Sequence, residues 1–194
     1  RVMLDLNELK ASAWILWNAI DMHVDSVWAD KSSVDYANWE NFDAKSKFGG
    51  GFWGIAVADH DAKEIALTKK YYAYGQFSRY IRPGYTIIGS DNEDMLVAYD
   101  SKGKKVVIVA VNTEAEDKSC QFDLSAFAGM GGEITAIRTS GSMENGENWA
   151  DVSALAEIDV QVAEKIFTAT LKGNSITTFI VEGRTLLYLK LPVS

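Results

Sequence analysis

A single cysteine, Cys120, is all that this chain of 194 residues carries. It permits no internal disulfide, so cysteine usage identifies no redox compartment. No apolar run approaches the roughly 20 residues that a helix needs to cross a bilayer. Residues 1–10 lack the basic segment, apolar core and small-residue cleavage site of a secretory leader. Basic residues are also outnumbered: 19 lysines and arginines face 27 aspartates and glutamates, for a net charge of −8. That balance repels phosphate backbones and argues against nucleic acid as the main partner. Nothing resembles a nucleophile elbow, a phosphate loop or a paired-cysteine metal site, and no cofactor is suggested.

What is present is apolar and aromatic. Hydrophobic residues make up 47% of the chain, which is the content of a globular protein rather than a disordered one. Six Trp, eight Tyr and eight Phe supply more aromatic surface than a core of this size needs, leaving a few to stack on sugar rings or other flat ligands.

Taken in order, Val2, Leu4, Leu6 and Leu9 read as the last turns of a helix, so the chain is expected to be cut from something longer. Ser12 to Asp21, SAWILWNAID, follows closely. Its apolar run Ala13 to Trp17 reads as a strand buried on both faces, the kind found in parallel sheets. Ligands meet such sheets at the carboxyl ends of the strands, which singles out Trp17 and Asn18. Residues 22–52 show no lasting periodicity, and loops of that length are commonly functional. A strand is expected at Trp53 to Ala58. A helical stripe of Ile65, Tyr72, Gly75, Phe77 and Ile81 then begins near Glu64 and stops at Arg82-Pro83-Gly84.

Beyond Pro83 the period becomes alternating. Strands are expected at Thr86 to Gly89, Met95 to Tyr99, Lys105 to Val111, Ser119 to Leu124, Ile134 to Thr139, Phe167 to Leu171 and Ile176 to Val181, with another near Ala156 to Val162. Short antiparallel-type strands at this spacing describe a β-sandwich. The division is therefore a βα unit over residues 1–83, a sandwich over 84–183, and a tail, 184–194, of unassigned role.

Three motifs in fixed order resemble glycoside hydrolase family 30. Trp14-Ile15-Leu16-Trp17-Asn18 is similar to the family's eighth barrel strand. Tyr71 to Gly84, YYAYGQFSRYIRPG, is similar to its barrel-closing helix. Lys105 to Asn112, KVVIVAVN, with Ser175 to Val181, SITTFIV, resembles parts of its sandwich. The resemblance implies a mixed α/β and all-β chain: the last βα unit of a (β/α)8 TIM barrel followed by an antiparallel β-sandwich. It also implies a retaining β-glycosidase, in which two carboxylates about 5 to 5.5 Å apart act as nucleophile and acid/base. In the family these end the fourth and seventh strands, so no catalytic residue is expected in this chain. Other implied features are an extracellular or cell-surface setting, a β-linked oligo- or polysaccharide as ligand, and a partner in the missing N-terminal part of the barrel. Related enzymes act on xylan, β-1,6-linked galactan or glucan, and glucosylceramide.

Trp17 is then expected to stack on a sugar and Asn18 to hold a hydroxyl or a catalytic carboxylate. The plainer readings are a core tryptophan and a turn cap. Trp14 is expected to pack against helices. Asp21, His23 and Asp25 share one face of an extended chain but read as solvated rather than metal-binding, and Asp91 to Asp94 reads as a hairpin turn. Among the aromatics Trp28, Tyr36, Trp39 and Trp53, one or two are expected along a substrate groove. Ser142 to Trp149, SMENGENW, reads as a structural loop. The candidate sugar contacts are Trp17, Asn18, Asp21 and Trp53, with no metal site. The alternative is a non-catalytic carbohydrate-binding or structural sandwich module.

Overall fold

The computed structural model describes residues 1–24, 54–59, 63–90, 92–127, 129–154, 158–161 and 165–183. The chain opens with helix α1 (Val2–Asn7), then strands β1 (Ile20–Val24), β2 (Ala56–Asp59) and β3 (Glu64–Leu67), then helix α2 (Lys69–Ser78). Nine further strands follow: β4 (Thr86–Ile88), β5 (Met95–Asp100), β6 (Lys105–Asn112), β7 (Lys118–Asp123), β8 (Met130–Ser140), β9 (Glu147–Asp151), β10 (Ile158–Gln161), β11 (Ile166–Leu171) and β12 (Ser175–Gly183).

Six of these strands form one antiparallel sheet in the order β4-β5-β6-β12-β8-β9. A second sheet, β10-β11-β7, lies across one of its faces. Between them sit Val106, Ile108 and Ala110 of β6, Phe122 of β7, Ala136 of β8, Phe167 and Ala169 of β11, and Phe179 and Val181 of β12. Phe122 and Phe167 are stacked at 4.4 Å and 9°, and both touch Phe179, at 5.1 and 5.6 Å. Alternation along each strand delivers one residue in two to this layer.

The other face of the large sheet is covered by the helices. Val107 and Val109 of β6 and Leu96 of β5 pack there with Met3 and Leu6 of α1 and Phe77 of α2. Strand β6 is thus buried on both faces, which is why KVVIVAVN is apolar almost throughout rather than alternating. Gln76 fixes α2 on this face. It is fully buried, donates to the Thr139 hydroxyl (2.8 Å) and accepts from the Thr178 hydroxyl (2.7 Å). Gln76→Leu removes the donor to the Thr139 hydroxyl and leaves the Thr178 hydroxyl only the backbone carbonyl of residue 76 (3.2 Å), and is expected to cost about 1–3 kcal/mol. A lower denaturant midpoint with an unchanged slope is the expected readout.

Most strands lie where the period places them, and three segments differ. The run Ala13 to Trp17 belongs to no ladder, and the first strand begins only at Ile20. Among the described residues no strand lies beside 13–17, and an apolar run is buried only if partners cover it. Ile15 and Trp17 are 88% and 78% exposed. The helix expected from Glu64 starts at Lys69 instead, because Glu64–Leu67 pairs antiparallel with β2 from Ala56↔Leu67 to Asp59↔Glu64. Pairing satisfies an open ladder that a helix would leave bare. The loop Ser142 to Trp149 ends inside β9, which joins the sheet through Ser140↔Glu147 and Arg138↔Ala150. Of the hairpin turn expected at Asp91 to Asp94, Asp91 lies outside the described residues, and a turn runs from Asn92 to Met95, with Met95 N–H donating to Asn92 O (3.2 Å). Helix α2 is too short to cross a membrane, and no helix of the described structure is long and apolar enough to do so.

Candidate functional site

Among the described residues, the segment 11–21 is anchored towards each of its ends. At its near end Trp14 donates its indole N–H to Asp5 of α1 (2.9 Å) and lies 5.8 Å from the Tyr74 ring of α2. Trp14 is therefore a helix-packing residue, as expected. At the far end Ala19 O accepts from the N–H groups of Ile55 (3.1 Å) and Ala56 (3.0 Å), tying the chain to β2 just before β1 begins. Strands β1 and β2 run parallel, with Ile20 opposite Ala56 and His23 opposite Ala58.

Trp17 and Asn18 stand between these anchors, joined by a cis peptide bond. The Trp17 indole faces solvent, while the Asn18 amide oxygen is shielded and has no partner among the described residues. A shielded amide oxygen with nothing to accept is uncommon and marks a place where a donor is wanted. Asp21 lies in β1, three residues beyond Asn18. The structure thus brings Trp17, Asn18 and Asp21 to one short stretch at the start of a parallel pair. Trp53 lies outside the described residues, as do Asp25, Trp28, Tyr36 and Trp39.

A second assembly joins α2 to the rim of the large sheet, and here the sequence reading missed the important residues. Lys69 donates from Nζ to Ser140 O (3.0 Å), Glu147 O (3.0 Å) and Asn148 Oδ1 (2.6 Å). Burial pulls the Lys69 ammonium below its ordinary pKa, and the Glu147 charge opposes that shift. Glu147 takes two bonds from the Arg138 fork, both 2.7 Å, and one from the Ser140 hydroxyl, 2.5 Å. The Arg138 bonds hold its carboxyl at about 2, assisted by Ser140 and opposed by partial burial.

Beside this network Trp149, in a left-handed conformation at φ 55°, lays its indole against Gly75 of α2 and donates to Tyr72 O (2.8 Å). A methyl group at Gly75 would collide with that indole, so the glycine is what allows the close approach. The available signal was Trp149 itself, a bulky apolar residue in an otherwise polar loop.

No family model matches the chain. A curated relative, the endo-beta-1,6-galactanase of Hypocrea rufa, is 27% identical over 185 residues, covering 94% of this chain and 31% of the relative. Among solved structures, a glycoside hydrolase family 30 subfamily 8 xylanase from Clostridium acetobutylicum is 25% identical with a TM-score of 0.51, over 68% of this chain and 31% of that one. The catalytic domain of a family 30 xylanase C from Talaromyces cellulolyticus shares the fold, with a TM-score of 0.50 at 14% identity over 69% of this chain and 28% of that one. The chain spans about a third of the length of the galactanase and the first xylanase, 31% in each case.

By these comparisons the chain is similar to glycoside hydrolases, and within them to members of family 30.

Proposed function

We propose that this chain is the carboxyl-terminal part of a retaining β-glycosidase. In this reading residues 1–83 complete a (β/α)8 barrel, 84–183 form its companion sandwich, and 184–194 are a tail outside both. The two reacting carboxylates lie in the rest of the barrel, and the chain alone hydrolyses nothing. Trp17, Asn18, Asp21 and Trp53 form one wall of the sugar site: the indole receives a pyranose face, and the Asn18 amide oxygen accepts from a hydroxyl or orients a donor. The glycan is a β-linked polysaccharide of the kind named in the relatives, β-1,6-galactan or xylan, and the protein acts outside the cell or at its surface.

One observation carries this reading: a solvent-facing tryptophan is followed by an asparagine whose shielded amide oxygen has no partner among the described residues, at the entry to a parallel strand pair. A core tryptophan would be covered, and an asparagine serving as a turn cap would be using that oxygen as an acceptor.

The local test is titration of the chain with a β-1,6-galactooligosaccharide, followed by NMR at the indole N–H signals. The Trp17 signal, assigned by its loss in Trp17→Ala, should shift on titration. The variant should bind about tenfold more weakly, a difference of about 1.4 kcal/mol. If Trp17→Ala binds as the parent does, this residue is no sugar contact.

A further inference from the structure

Helix α1, the segment 11–14, the carboxyl end of α2 and strand β4 border a groove of about 590 Å³. Leu6, Trp14, Phe77, Ile81, Tyr85 and Ile87 line it, and Arg82 is its only charged wall among the described residues. Along one side runs β4, the outermost strand of the large sheet, with no strand beside its free edge among the described residues. An apolar groove next to an open strand edge shows two kinds of surface that folded chains cover, apolar side chains and unpaired backbone groups.

The register of the sheet decides which part of the chain reaches this groove. Glu182 of β12 lies opposite Lys105 of β6, Lys105 lies opposite Asp100 of β5, and one residue earlier Tyr99 lies opposite Thr86 of β4. The row in which β12 ends therefore leads across β6 and β5 to Tyr85, which lines the groove. From β12 to the far edge of β4 is roughly 20 Å at about 4.8 Å per strand spacing. Residues 184–194, which follow β12, span up to roughly 36 Å when extended, so about half of them suffice for the crossing and the rest are long enough to lie in the groove. Their sequence suits it. Leu187, Leu189 and Leu191 alternate with Tyr188 and Lys190, so an extended chain turns the three leucines to one side, and Pro192 stops the run. Arg184 and Lys190 are the only charged residues of the segment, which is thus basic in a chain of net charge −8.

We propose that residues 184–194 fold back across the end of the large sheet and fill this groove. Leu187, Leu189 and Leu191 pack among Leu6, Trp14, Phe77 and Ile87, and the backbone runs alongside β4, whose open edge it covers. The tail then clasps the helices of the first 83 residues to the sheet. This docking goes beyond the glycosidase reading and does not depend on it, since it needs neither a sugar nor a reacting carboxylate.

The test reads Trp14, whose indole N–H signal in NMR is assigned by its loss in Trp14→Phe. In the 194-residue chain, with no truncation, Leu189→Ser should move this signal, and Tyr188→Ser, on the opposite side of the tail, should leave it in place. A chain ending at Gly183 should melt lower by about 2–4 °C or more. Adding the peptide 184–194 to that shortened chain should return the Trp14 signal saturably to its place, and a peptide with Leu187→Ser, Leu189→Ser and Leu191→Ser should bind at least about tenfold more weakly. A Trp14 signal that ignores both Leu189→Ser and the peptide overturns the proposal, as does an equal response to Leu189→Ser and Tyr188→Ser. A signal that follows protein concentration instead of the tail gives the groove to a second copy, and one that moves only when the upstream polypeptide is added gives it to the rest of the barrel. Either result overturns tail docking and leaves the glycosidase reading standing.

Discussion

Phe167→Ala should destabilise the chain by about 3–5 kcal/mol, the largest effect expected of any single truncation here. Phe167 is 1% exposed and is one of three rings, with Phe122 and Phe179, in mutual contact between the two sheets. Truncation removes the only ring that stacks flat on Phe122 among the described residues. The lost transfer free energy adds to the cost of a cavity that a rigid sheet closes poorly. Chemical denaturation monitored by far-UV circular dichroism should show the midpoint fall. Phe167→Leu, which refills most of the volume, should recover more than half of the loss. A loss below about 1 kcal/mol in the alanine variant would mean that the sheets are not held together through this layer.

The second large effect is a dependence of stability on acid. Glu147 is held at about 2 in the folded chain against an ordinary value of 4.5. Because the folded-state value is the lower one, its contribution is complete above pH 4.5. It is lost as pH falls from there through about 2, when the unfolded chain takes up the proton more readily. The gap between those values corresponds to roughly 3 kcal/mol. Glu147→Gln should remove most of this dependence. At neutral pH it should also lower stability, since Arg138 is 7% exposed and its fork would lose the Glu147 carboxylate. Unfolding midpoints measured for both forms between pH 2 and 7 should converge at the acid end. Parallel curves would show that Arg138 and Glu147 contribute little to folding.

How much of this was legible in the sequence depended on where the information lay. Strands β5, β6, β11 and β12 were readable because their own side chains alternate or are uniformly apolar, and local pattern is what those features encode. The continuous apolar run of β6 carries the signal of a strand covered on both faces, although it was expected only as one of the alternating strands. Strand β9 was not readable: ENWAD has neither alternation nor β-branched residues, and it is a strand because Glu147 and Ala150 find register with β8. Ala13 to Trp17 failed in the opposite direction. Its side chains suit a buried strand, yet burial belongs to the neighbours, and none of the described residues covers Ile15 or Trp17. The same exposure is what makes Trp17 available to a ligand. Of the candidate site, the exposed tryptophan and its asparagine could be named from sequence. The junction of Lys69, Glu147 and Trp149 could not, since it joins residues about 80 positions apart, from Lys69 to Glu147 and from Tyr72 to Trp149.

The central claim is that this chain supplies a sugar-binding wall to a β-glycosidase whose reacting carboxylates lie elsewhere. The most direct measurement is release of reducing sugar from β-1,6-galactan and from xylan, assayed for the 194-residue chain alone and for a polypeptide extended upstream to the length of the relatives. The extended protein should hydrolyse one of the two glycans with retention at the anomeric carbon, Trp17→Ala should lower its kcat/KM by about tenfold, and the chain alone should match a buffer blank. Hydrolysis by the chain alone, or an extended protein indifferent to Trp17→Ala, would contradict the account.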